Sequence, residues 1–366
     1  MWLVPALRFP EFTEEWESVL LEDVAEFQKK RISSDLLNNS NYISTENILQ
    51  NFGGVQNSIS IPANTNVIEY QKGDVLLSNI RPYLKKVWLS DRHGGCSADV
   101  FVLRGNQCER RFLYYVIASD RFINFVMSGA KGVKMPRGDK SQMEKFAFFI
   151  PTNVEQKKIA RFLSMLDERI RLQNKIIEDL KKLKSAIAET VFNNMQGHLT
   201  SLSAICNIVK GKQVNGEELS EKGKYYVMNG GITPSGYYDQ CNTPANTISV
   251  SEGGNSCGYV QYNKSSFWSG GHCYTLQDIT TGVDTQYLFH YLKRYESNIM
   301  NLRIGTGLPN IQKKDLENFR IALPPSNVQK EISTCLTAIE DKIMVEVKWL
   351  DSTQKEKLYL LRQMFI

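Results

Sequence analysis

The strongest constraint in this sequence is an internal repeat. Residues 146–193 align with residues 319–366 at a constant offset of 173, without a gap. Further upstream, Gly132-x-x-x-Pro136 meets Gly305-x-x-x-Pro309 at the same offset. The identical residues are Phe146, Pro151, Gln156, Lys157, Ile159, Leu163, Ile170, Lys175, Lys182, Lys184 and Phe192, which meet Phe319, Pro324, Gln329, Lys330, Ile332, Leu336, Ile343, Lys348, Lys355, Lys357 and Phe365. A gapless match of this length indicates two copies of one structural unit.

Each repeated segment is predicted to form one long helix. Residues 154–196 and 328–366 contain neither Pro nor Gly, and a Pro shortly precedes each of them. Thr152-x-x-Glu155 and Ser326-x-x-Gln329 both match a capping box, in which side chains bind the free backbone amides of a helix start.

Both helices carry an apolar seam with alternating spacings of four and three residues, as in a coiled coil. Polar residues interrupt it at equivalent sites, Gln173 and Lys184 in the first helix and Glu346 and Lys357 in the second. Two such helices would form a spacer roughly 57 Å long at 1.5 Å per residue. The alternative, two unrelated core helices, does not explain the shared offset. The seam residues are Ile159, Leu163, Leu166, Ile170, Ile177, Leu180, Ile187 and Val191, and then Ile332, Leu336, Ile339, Ile343, Leu350, Leu360 and Met364.

A globule of mixed character precedes each long helix. Apolar runs divided by Gly-rich turns are followed by a helical stretch, Arg111–Val126 in one copy and Gln286–Asn298 in the other. The predicted fold class is α+β, with two mixed α/β domains in a pseudo-twofold arrangement, separated by two long antiparallel coiled-coil helices. The predicted boundaries are 1–150 for the first globule, 151–196 for the first helix, 197–323 for the second globule and 324–366 for the second helix.

Composition and motifs argue against an enzyme, a metal site or a membrane protein. The chain is 42% hydrophobic and 23% charged. It has no apolar run near the roughly 20 residues that span a bilayer and no signal-peptide core, so we expect a cytoplasmic protein. Its seven cysteines form no Cys-x-x-Cys pair, and its four histidines lack metal-ligand spacing. No phosphate-binding Gly-x-x-x-x-Gly-Lys-Ser/Thr loop and no Asn/Asp-Pro-Pro-Tyr/Phe methylation motif occurs. We therefore expect no catalytic residues, metal or cofactor.

Several stretches resemble one family closely. They are the opening Pro5-x-Leu7-Arg8-Phe9-Pro10-x-Phe12-x-x-x-Trp16, the run Gly73-Asp74-Val75-Leu76-Leu77-Ser78-x-Ile80-Arg81-Pro82, the run Gly253-Gly254-x-x-Cys257-Gly258-Tyr259-Val260, and Leu308-Pro309-x-Ile311-x-Lys313-x-Asp315-Leu316. Together and in this order, they make the chain resemble a specificity subunit of a type I restriction-modification system over essentially its whole length. One departure is Gly129-Ala-Lys-Gly-Val-Lys-Met-Pro136, which is less similar to the family's Gly-rich run before Pro than Gly305-Thr-Gly-Leu-Pro309 is.

The resemblance implies a non-catalytic subunit that binds double-stranded DNA. Each globule would be a target recognition domain that reads one half of a bipartite sequence. The antiparallel helices would set the separation of the two domains and bind methyltransferase subunits. We expect two such subunits. Endonuclease and translocase activities would belong to a further restriction subunit that joins the complex.

The expected DNA-contacting residues are basic or amide-bearing side chains beside Gly-rich loops. Phosphate contacts position a protein on DNA, while Arg, Lys, Asn and Gln read base edges. The net charge of +5 permits such a partner. The candidates are Lys29, Lys30, Arg31, Arg81, Tyr83, Lys85, Lys86, Lys131, Lys134, Arg137 and Lys140 in the first globule, and Lys210, Lys212, Gln213, Lys264, Arg303, Lys313 and Lys314 in the second.

Two other functions remain open at this point. One is a coiled-coil adaptor or scaffold protein without DNA specificity. The other is a DNA-modifying enzyme with an unusual motif. Sequence-selective DNA binding would separate the specificity subunit from the adaptor, and chemistry by the purified chain alone would favour the enzyme.

Overall fold

The structure, a computed structural model, describes residues 4–132, 134–305, 307 and 309–365. The chain divides into two compact units. Unit 1 consists of Met1–Gln173 and Trp349–Ile366, and unit 2 is Asn174–Lys348. The first long helix spans Asn153–Asn193 and the second spans Ser326–Met364, so the predicted helices are confirmed to within a few residues at each end. Each unit therefore contains one globule and a part of each long helix.

Unit 1 is built on two four-stranded β-sheets and one strand pair. One sheet runs in the order β2-β9-β6-β7 and the other in the order β3-β5-β8-β4, while β1 pairs with β10. The strands are β1 (Glu17–Leu20), β2 (Ala25–Phe27), β3 (Arg31–Ser33), β4 (Tyr42–Ile43), β5 (Asn66–Tyr70), β6 (Val75–Ser78), β7 (Val87–Leu89), β8 (Gly94–Cys96), β9 (Val100–Gly105) and β10 (Ala147–Ile150). The short helices are α1 (Leu21–Val24), α2 (Arg110–Ile117), α3 (Asp120–Ser128) and α4 (Lys140–Glu144).

Strand β6 belongs to the first of these sheets, and its side chains enter two different hydrophobic cores, one on each face. Successive residues of a strand point to opposite faces. Val75 and Leu77 enter the core that α2 and the long helices cover, whereas Leu76 enters a second core with Tyr70 and Trp88. Because both faces of β6 are buried, its sequence is a continuous apolar run rather than an alternating one.

Unit 2 has a corresponding main sheet in the order β12-β18-β15-β16. A smaller sheet runs β14-β13-β17, and β11 pairs with β19. The strands are β11 (His198–Ser201), β12 (Asn207–Lys210), β13 (Tyr225–Met228), β14 (Gly236–Tyr238), β15 (Thr247–Ser251), β16 (Val260–Asn263), β17 (Trp268–Ser269), β18 (Cys273–Gln277) and β19 (Arg320–Leu323). The short helices are α5 (Thr285–Arg294), α6 (Glu296–Met300) and α7 (Lys313–Glu317).

The offset of 173 extends into the sheets, well beyond the segment in which the sequence shows it. Val75 pairs with Leu103 in unit 1, and Ile248 pairs with Leu276 in unit 2. Both members of the second pair lie 173 residues after those of the first. The two main sheets therefore have the same strand register, although few of their residues are identical.

Within each unit the two long helices pack antiparallel through the predicted seam, whose residues are buried or half-buried. In unit 1, Lys357 forms an ion pair with Asp167, and Arg169 lies over the ring of Trp349. The residue numbers rise from 167 to 169 on the first helix and fall from 357 to 349 on the second, as expected for antiparallel helices. The predicted α+β fold class is confirmed.

The lysines that interrupt the seam have the same role in both units. In unit 2, Lys184 Nζ lies 2.9 Å from Glu340 Oε2. This pair is the repeat equivalent of Lys357 with Asp167, and both lysine side chains are largely buried, with 20% and 12% exposed. Each lysine thus pairs with an acid on the facing helix, which favours one register over others.

A buried glutamine connects the start of each long helix to its globule. In unit 1, Gln156 Oε1 accepts a hydrogen bond of 2.9 Å from the Glu109 backbone N–H, and Gln156 Nε2 donates to the Pro151 carbonyl at 2.9 Å. In unit 2, Gln329 Oε1 accepts from the Asp284 N–H and its Nε2 donates to the Pro324 carbonyl, both at 2.9 Å. Glu109 and Asp284 are the N-cap residues of α2 and α5.

The side chains predicted to complete the capping boxes are used differently. Gln329 makes the contacts just described, and Glu155 accepts two hydrogen bonds of 2.8 Å from Arg8. Arg8 is far from Glu155 in the sequence, and Glu155 is fully buried, so a bidentate guanidinium is the stronger partner. A local pattern could not reveal this competitor.

One repeated helix position differs in chemistry. Tyr115 and His290 each lie six residues after their N-cap, and Tyr115 donates a hydrogen bond of 2.7 Å to Asp167. His290 Nε2 instead contacts Thr337 Oγ1 at 2.9 Å. Burial, with Lys184 nearby, lowers the pKa of His290 to about 3, so this ring is neutral at physiological pH.

No helix in the described part of the chain is both long enough and apolar enough to cross a membrane.

We predict that Gln329→Ala destabilises the protein by about 1–3 kcal/mol, because a buried N–H and a buried carbonyl lose their partner. Chemical denaturation measures this loss. Gln354→Ala, at an exposed site on the same helix, is the matched control and should change stability by less than about 0.5 kcal/mol. Equal effects of the two substitutions would show that the buried amide contributes nothing specific.

Candidate nucleic-acid interface

Each unit contains a loop built around the repeated Gly-x-x-x-Pro motif, here named the Gly-Pro loop. The two Gly-Pro loops are residues 129–138 in unit 1 and 302–311 in unit 2. In unit 1 the loop closes through Lys131 and Arg137, whose backbones exchange hydrogen bonds of 3.0 and 2.9 Å. In unit 2, Ile304 and Asn310 exchange bonds of 2.8 and 3.0 Å. Val133, Thr306 and Leu308 lie outside the described residues.

Each Gly-Pro loop is also hydrogen-bonded to the turn that follows β6 in unit 1 or β15 in unit 2. The Arg81 N–H donates to the Pro136 carbonyl at 2.8 Å, and the Gly254 N–H donates to the Pro309 carbonyl at 3.0 Å. The flanking bonds correspond as well, Gly138 N–H to Asn79 carbonyl at 3.1 Å and Ile311 N–H to Glu252 carbonyl at 2.8 Å. All these partners are related by the offset of 173. The backbone scaffold is therefore the same in both units, despite the departure of the first loop's sequence from the family pattern.

Unit 1 places two basic residues in backbone conformations where unit 2 has glycine. Arg81 has φ 51° and Lys85 has φ 52°, and their equivalents are Gly254 and Gly258, with φ 75° and 89°. A left-handed conformation costs a residue with a side chain on the order of 1 kcal/mol. For Lys85 the ion pair with Asp120, at 2.5 Å, offsets this cost. Among the residues the structure describes, Arg81 has no ion-pair partner, and its side chain is exposed.

Four predicted cations meet at the Gly-Pro loop of unit 1. We name Arg81, Lys131, Lys134 and Arg137 the basic loop surface. Lys131 Nζ lies 2.7 Å from Asp139, in a pair so exposed that a phosphate could compete with it. Tyr83 follows Arg81 by two residues and is about half exposed. Lys140 opens α4 and lies 3.4 Å from Glu144.

The other predicted cations of unit 1 are engaged elsewhere. Lys85 pairs with Asp120, and Lys86 Nζ donates to the Thr45 carbonyl at 2.6 Å. Both side chains therefore brace the fold as the structure stands. Asp120 has a pKa below its usual value, mainly because Lys85 binds it.

The group at 29–31 belongs to the second sheet of unit 1. Lys30 Nζ lies 2.8 Å from Glu69, and Arg31 donates to the Asn66 carbonyl on β5 at 3.1 Å. Lys29 is exposed in the turn that leads to these two residues. The structure thus assigns two of these three cations a partner on β5.

In unit 2 the predicted Lys210 belongs to a cluster beneath the Gly-Pro loop. Lys210 Nζ lies 2.6 Å from Glu252 Oε1, and the Tyr274 hydroxyl donates to the same oxygen at 3.0 Å. His272 Nδ1 is 3.5 Å from Glu252 Oε2. Because Glu252 directly precedes the turn that binds Asn310, this cluster places a cation and an imidazole beside the loop.

The remaining candidates of unit 2 differ in whether their side chains have an ion-pair partner. Lys264 pairs at 2.7 Å with Asp341 on the second long helix, and Lys313 lies 3.6 Å from Glu317. The others, Lys212, Gln213, Arg303 and Lys314, are exposed and form no ion pair with the described residues. Arg303 lies within the Gly-Pro loop and Lys314 shortly after it, so these two can share a ligand with the loop.

Comparison with known proteins agrees with this duplicated architecture. A family model described as the type I restriction modification DNA specificity domain matches residues 13–182 and again residues 199–349. The two matches cover most of the chain, one for each globule. The chain belongs to the type I restriction-modification DNA specificity family.

Two individual relatives share 30% identity or less with the chain over the aligned residues. A putative type I specificity subunit of Mycoplasma genitalium is 30% identical over 182 residues, which are 48% of this chain and 47% of that protein. The chain thus spans about half the length of that relative. The putative MjaX specificity subunit of a type I restriction enzyme, from Methanocaldococcus jannaschii, is 25% identical over 329 residues, or 78% of this chain and 75% of that protein. A crystal structure of a type I restriction-modification system S subunit from Mycoplasma genitalium shares the fold, with a TM-score of 0.77 at 20% identity over 99% of both chains.

Sequence reasoning did not include the loop residue Asn310. It carries no charge and stands between Pro309 and Ile311, whereas the amide candidate Gln213 directly follows Lys212. The equivalence of Asn310 to Arg137 at the offset of 173 was the available clue. The described residues also contain no group of His, Cys, Asp and Glu side chains that could hold a metal ion.

We predict that the free energy of unfolding of Arg81→Gly is about 1 kcal/mol larger than that of Arg81→Ala, because only glycine relieves the left-handed strain. Chemical denaturation measures the difference. At Lys181, an exposed position inside the first long helix, the order should reverse, since glycine there costs about 1 kcal/mol relative to alanine. If alanine were the more stable replacement at both positions, Arg81 would not be strained.

Proposed function

We propose that this chain is the sequence-specific DNA-binding subunit of a type I restriction-modification complex. Each globule reads one half of a bipartite DNA site, and the long helices set the spacing between the halves. The observation that carries the proposal is the duplicated Gly-Pro loop scaffold: both units hold the same backbone and present different polar side chains on it.

The charge distribution supports DNA as the ligand. The basic loop surface combines four cations on one bonded loop and turn, with a weakly held ion pair at Lys131. Such exposed cations neutralise phosphates and release counterions. The family description, a DNA specificity domain, agrees with this chemistry.

The long helices supply surfaces that suit protein partners. The seam residues lie in the interior of the helix pair, so other apolar side chains must serve any docking. Unit 1 exposes Met165, Leu172, Trp349, Leu358 and Tyr359, and unit 2 exposes Ile176, Leu183, Met344, Val345 and Val347. We propose that these residues bind two methyltransferase subunits, with the restriction subunit joining through that complex. The chain itself would perform no chemistry, in keeping with its lack of methylation and phosphate-binding motifs.

The adaptor function draws on the same exposed apolar residues, so DNA selectivity must decide between the two. In a gel-shift titration, the full chain with its methyltransferase partner should shift its target duplex. The shift should be absent with a scrambled duplex and when heparin competes for the protein. Equal binding to target and scrambled DNA would favour the adaptor.

We predict that the double variant Lys131→Ala/Lys134→Ala weakens DNA binding to all sequences alike and lowers the slope of log Kd against log salt by about 1 to 2, because phosphate contacts are lost. The control is Lys175→Ala/Lys181→Ala, an equal charge change on the first long helix, which should leave affinity and slope unchanged. An unaltered salt slope in the loop variant would remove these lysines from the interface.

We also predict that replacing residues 15–150 with the domain of another family member changes only one half of the recognised sequence, as read by methylation mapping. Replacing residues 199–323 should change only the other half. Inserting seven residues into both long helices should lengthen the gap between the halves by about 10.5 Å of helix rise, or roughly three base pairs. A domain exchange that altered both halves together would contradict independent reading.

A further inference from the structure

Among the positions of the Gly-Pro loop that differ between the units, one has its backbone bridged to two neighbouring segments in the same way in both. We propose that this position, Arg137 in unit 1 and Asn310 in unit 2, is the base-reading position of each recognition domain. It reads a guanine in one half-site and an adenine in the other. The inference rests on the proposed function, since it requires that the globules bind DNA.

The three-residue segment centred on this position is hydrogen-bonded on both sides, as in the middle strand of a small sheet. The bridges are Arg137 with Lys131 and Ile80, and Asn310 with Ile304 and Gly253. A side chain that reads a base must start from a fixed Cα, because a misplacement of 1 Å breaks a bidentate contact. Of the loop residues, this one has its backbone position determined by two neighbours in both units.

The two side chains are those that recognise purines through paired hydrogen bonds. A guanidinium donates two bonds to guanine O6 and N7, and a carboxamide both accepts from adenine N6 and donates to N7. Lysine lacks this planar fork and acts as a point charge. Lys131 and Lys134 therefore suit phosphates, whereas Arg137 and Asn310 suit base edges.

Comparison of the two units separates positioning from reading. Lys140 and Lys313 are equivalent, carry the same side chain, and each lies 3.4 to 3.6 Å from the glutamate four residues later. A phosphate contact can be the same in both half-sites because it carries no sequence information. A base contact has to differ wherever the half-sites differ. Several loop positions differ between the units, and Arg137 and Asn310 form the pair in which both side chains can make paired hydrogen bonds to a purine.

Both side chains are accessible to a ligand. The Arg137 side chain is 55% exposed, and its ion pair with Asp99, at 3.4 Å, is itself 40% exposed on the acid's side. Asn310 is exposed, and its Oδ1 accepts a long hydrogen bond of 3.4 Å from Gln312. Exposed contacts of this length are weak, so a base edge can replace them.

The test uses the full chain with its methyltransferase partner, in cells for methylation mapping and purified for binding to duplexes with single base changes. Arg137→Ala should reduce discrimination at one base pair of one half-site by about ten- to a hundredfold, leaving the other half-site unchanged. Asn310→Ala should do the same in the other half-site. The exchange Arg137→Asn should shift the preferred base from guanine towards adenine, and Asn310→Arg should shift it from adenine towards guanine.

Lys140→Ala and Lys313→Ala are the matched controls, and they should weaken binding evenly across all sequences. The inference is overturned if Arg137→Ala and Asn310→Ala also weaken binding evenly, or if the methylated sequence keeps every base preference in both variants. In either case the unchanged complex would still methylate a bipartite sequence, so the proposed function would stand. If the unchanged complex shows no sequence preference at all, the proposed function fails, and the base-reading role fails with it.

Discussion

The buried glutamine at the start of each long helix is the contact on which the rest of each unit depends. Gln156 and Gln329 satisfy the carbonyl of the proline before the helix and the N-cap amide of the globule's own helix. An unpaired amide in such a site would cost on the order of 1–3 kcal/mol, so the two helices cannot slide apart without penalty. Because α2 and α5 lead towards the Gly-Pro loops, the position of each loop relative to its long helix follows from this contact.

The Gly-Pro loops separate two requirements, a constant backbone and a variable surface. Their hydrogen bonds join N–H and carbonyl groups, which every residue except proline supplies in full, so side chains can change without loss of the scaffold. Arg81 shows the limit of this freedom, since a left-handed turn that suits Gly254 is strained when it carries an arginine. A strained cation with no ion-pair partner among the described residues is expected where a ligand rather than the fold needs the side chain.

Prediction from sequence succeeded where the signal was local. The long helices and the seam follow from periodicity, and the structure confirms them; the four domain boundaries stay a prediction. Prediction from sequence did less well for single side chains. Glu155 was predicted to cap its helix, but it binds Arg8. Lys85 and Lys264 lie against Asp120 and Asp341, and their contact with DNA stays a prediction.

The sequence by itself determined the duplicated architecture, the length of the helices and the family resemblance, because each depends on the order of residues within a short window or on a constant offset. Only the tertiary structure decided which cations have an acidic partner among the described residues and which do not. The partner of Lys30 lies on another strand and that of Lys264 on a long helix, and the charge of a lysine does not reveal the acid it will meet. Asn310 became a candidate for the same reason: its bridge to Gly253 forms only when distant segments of the chain are brought together.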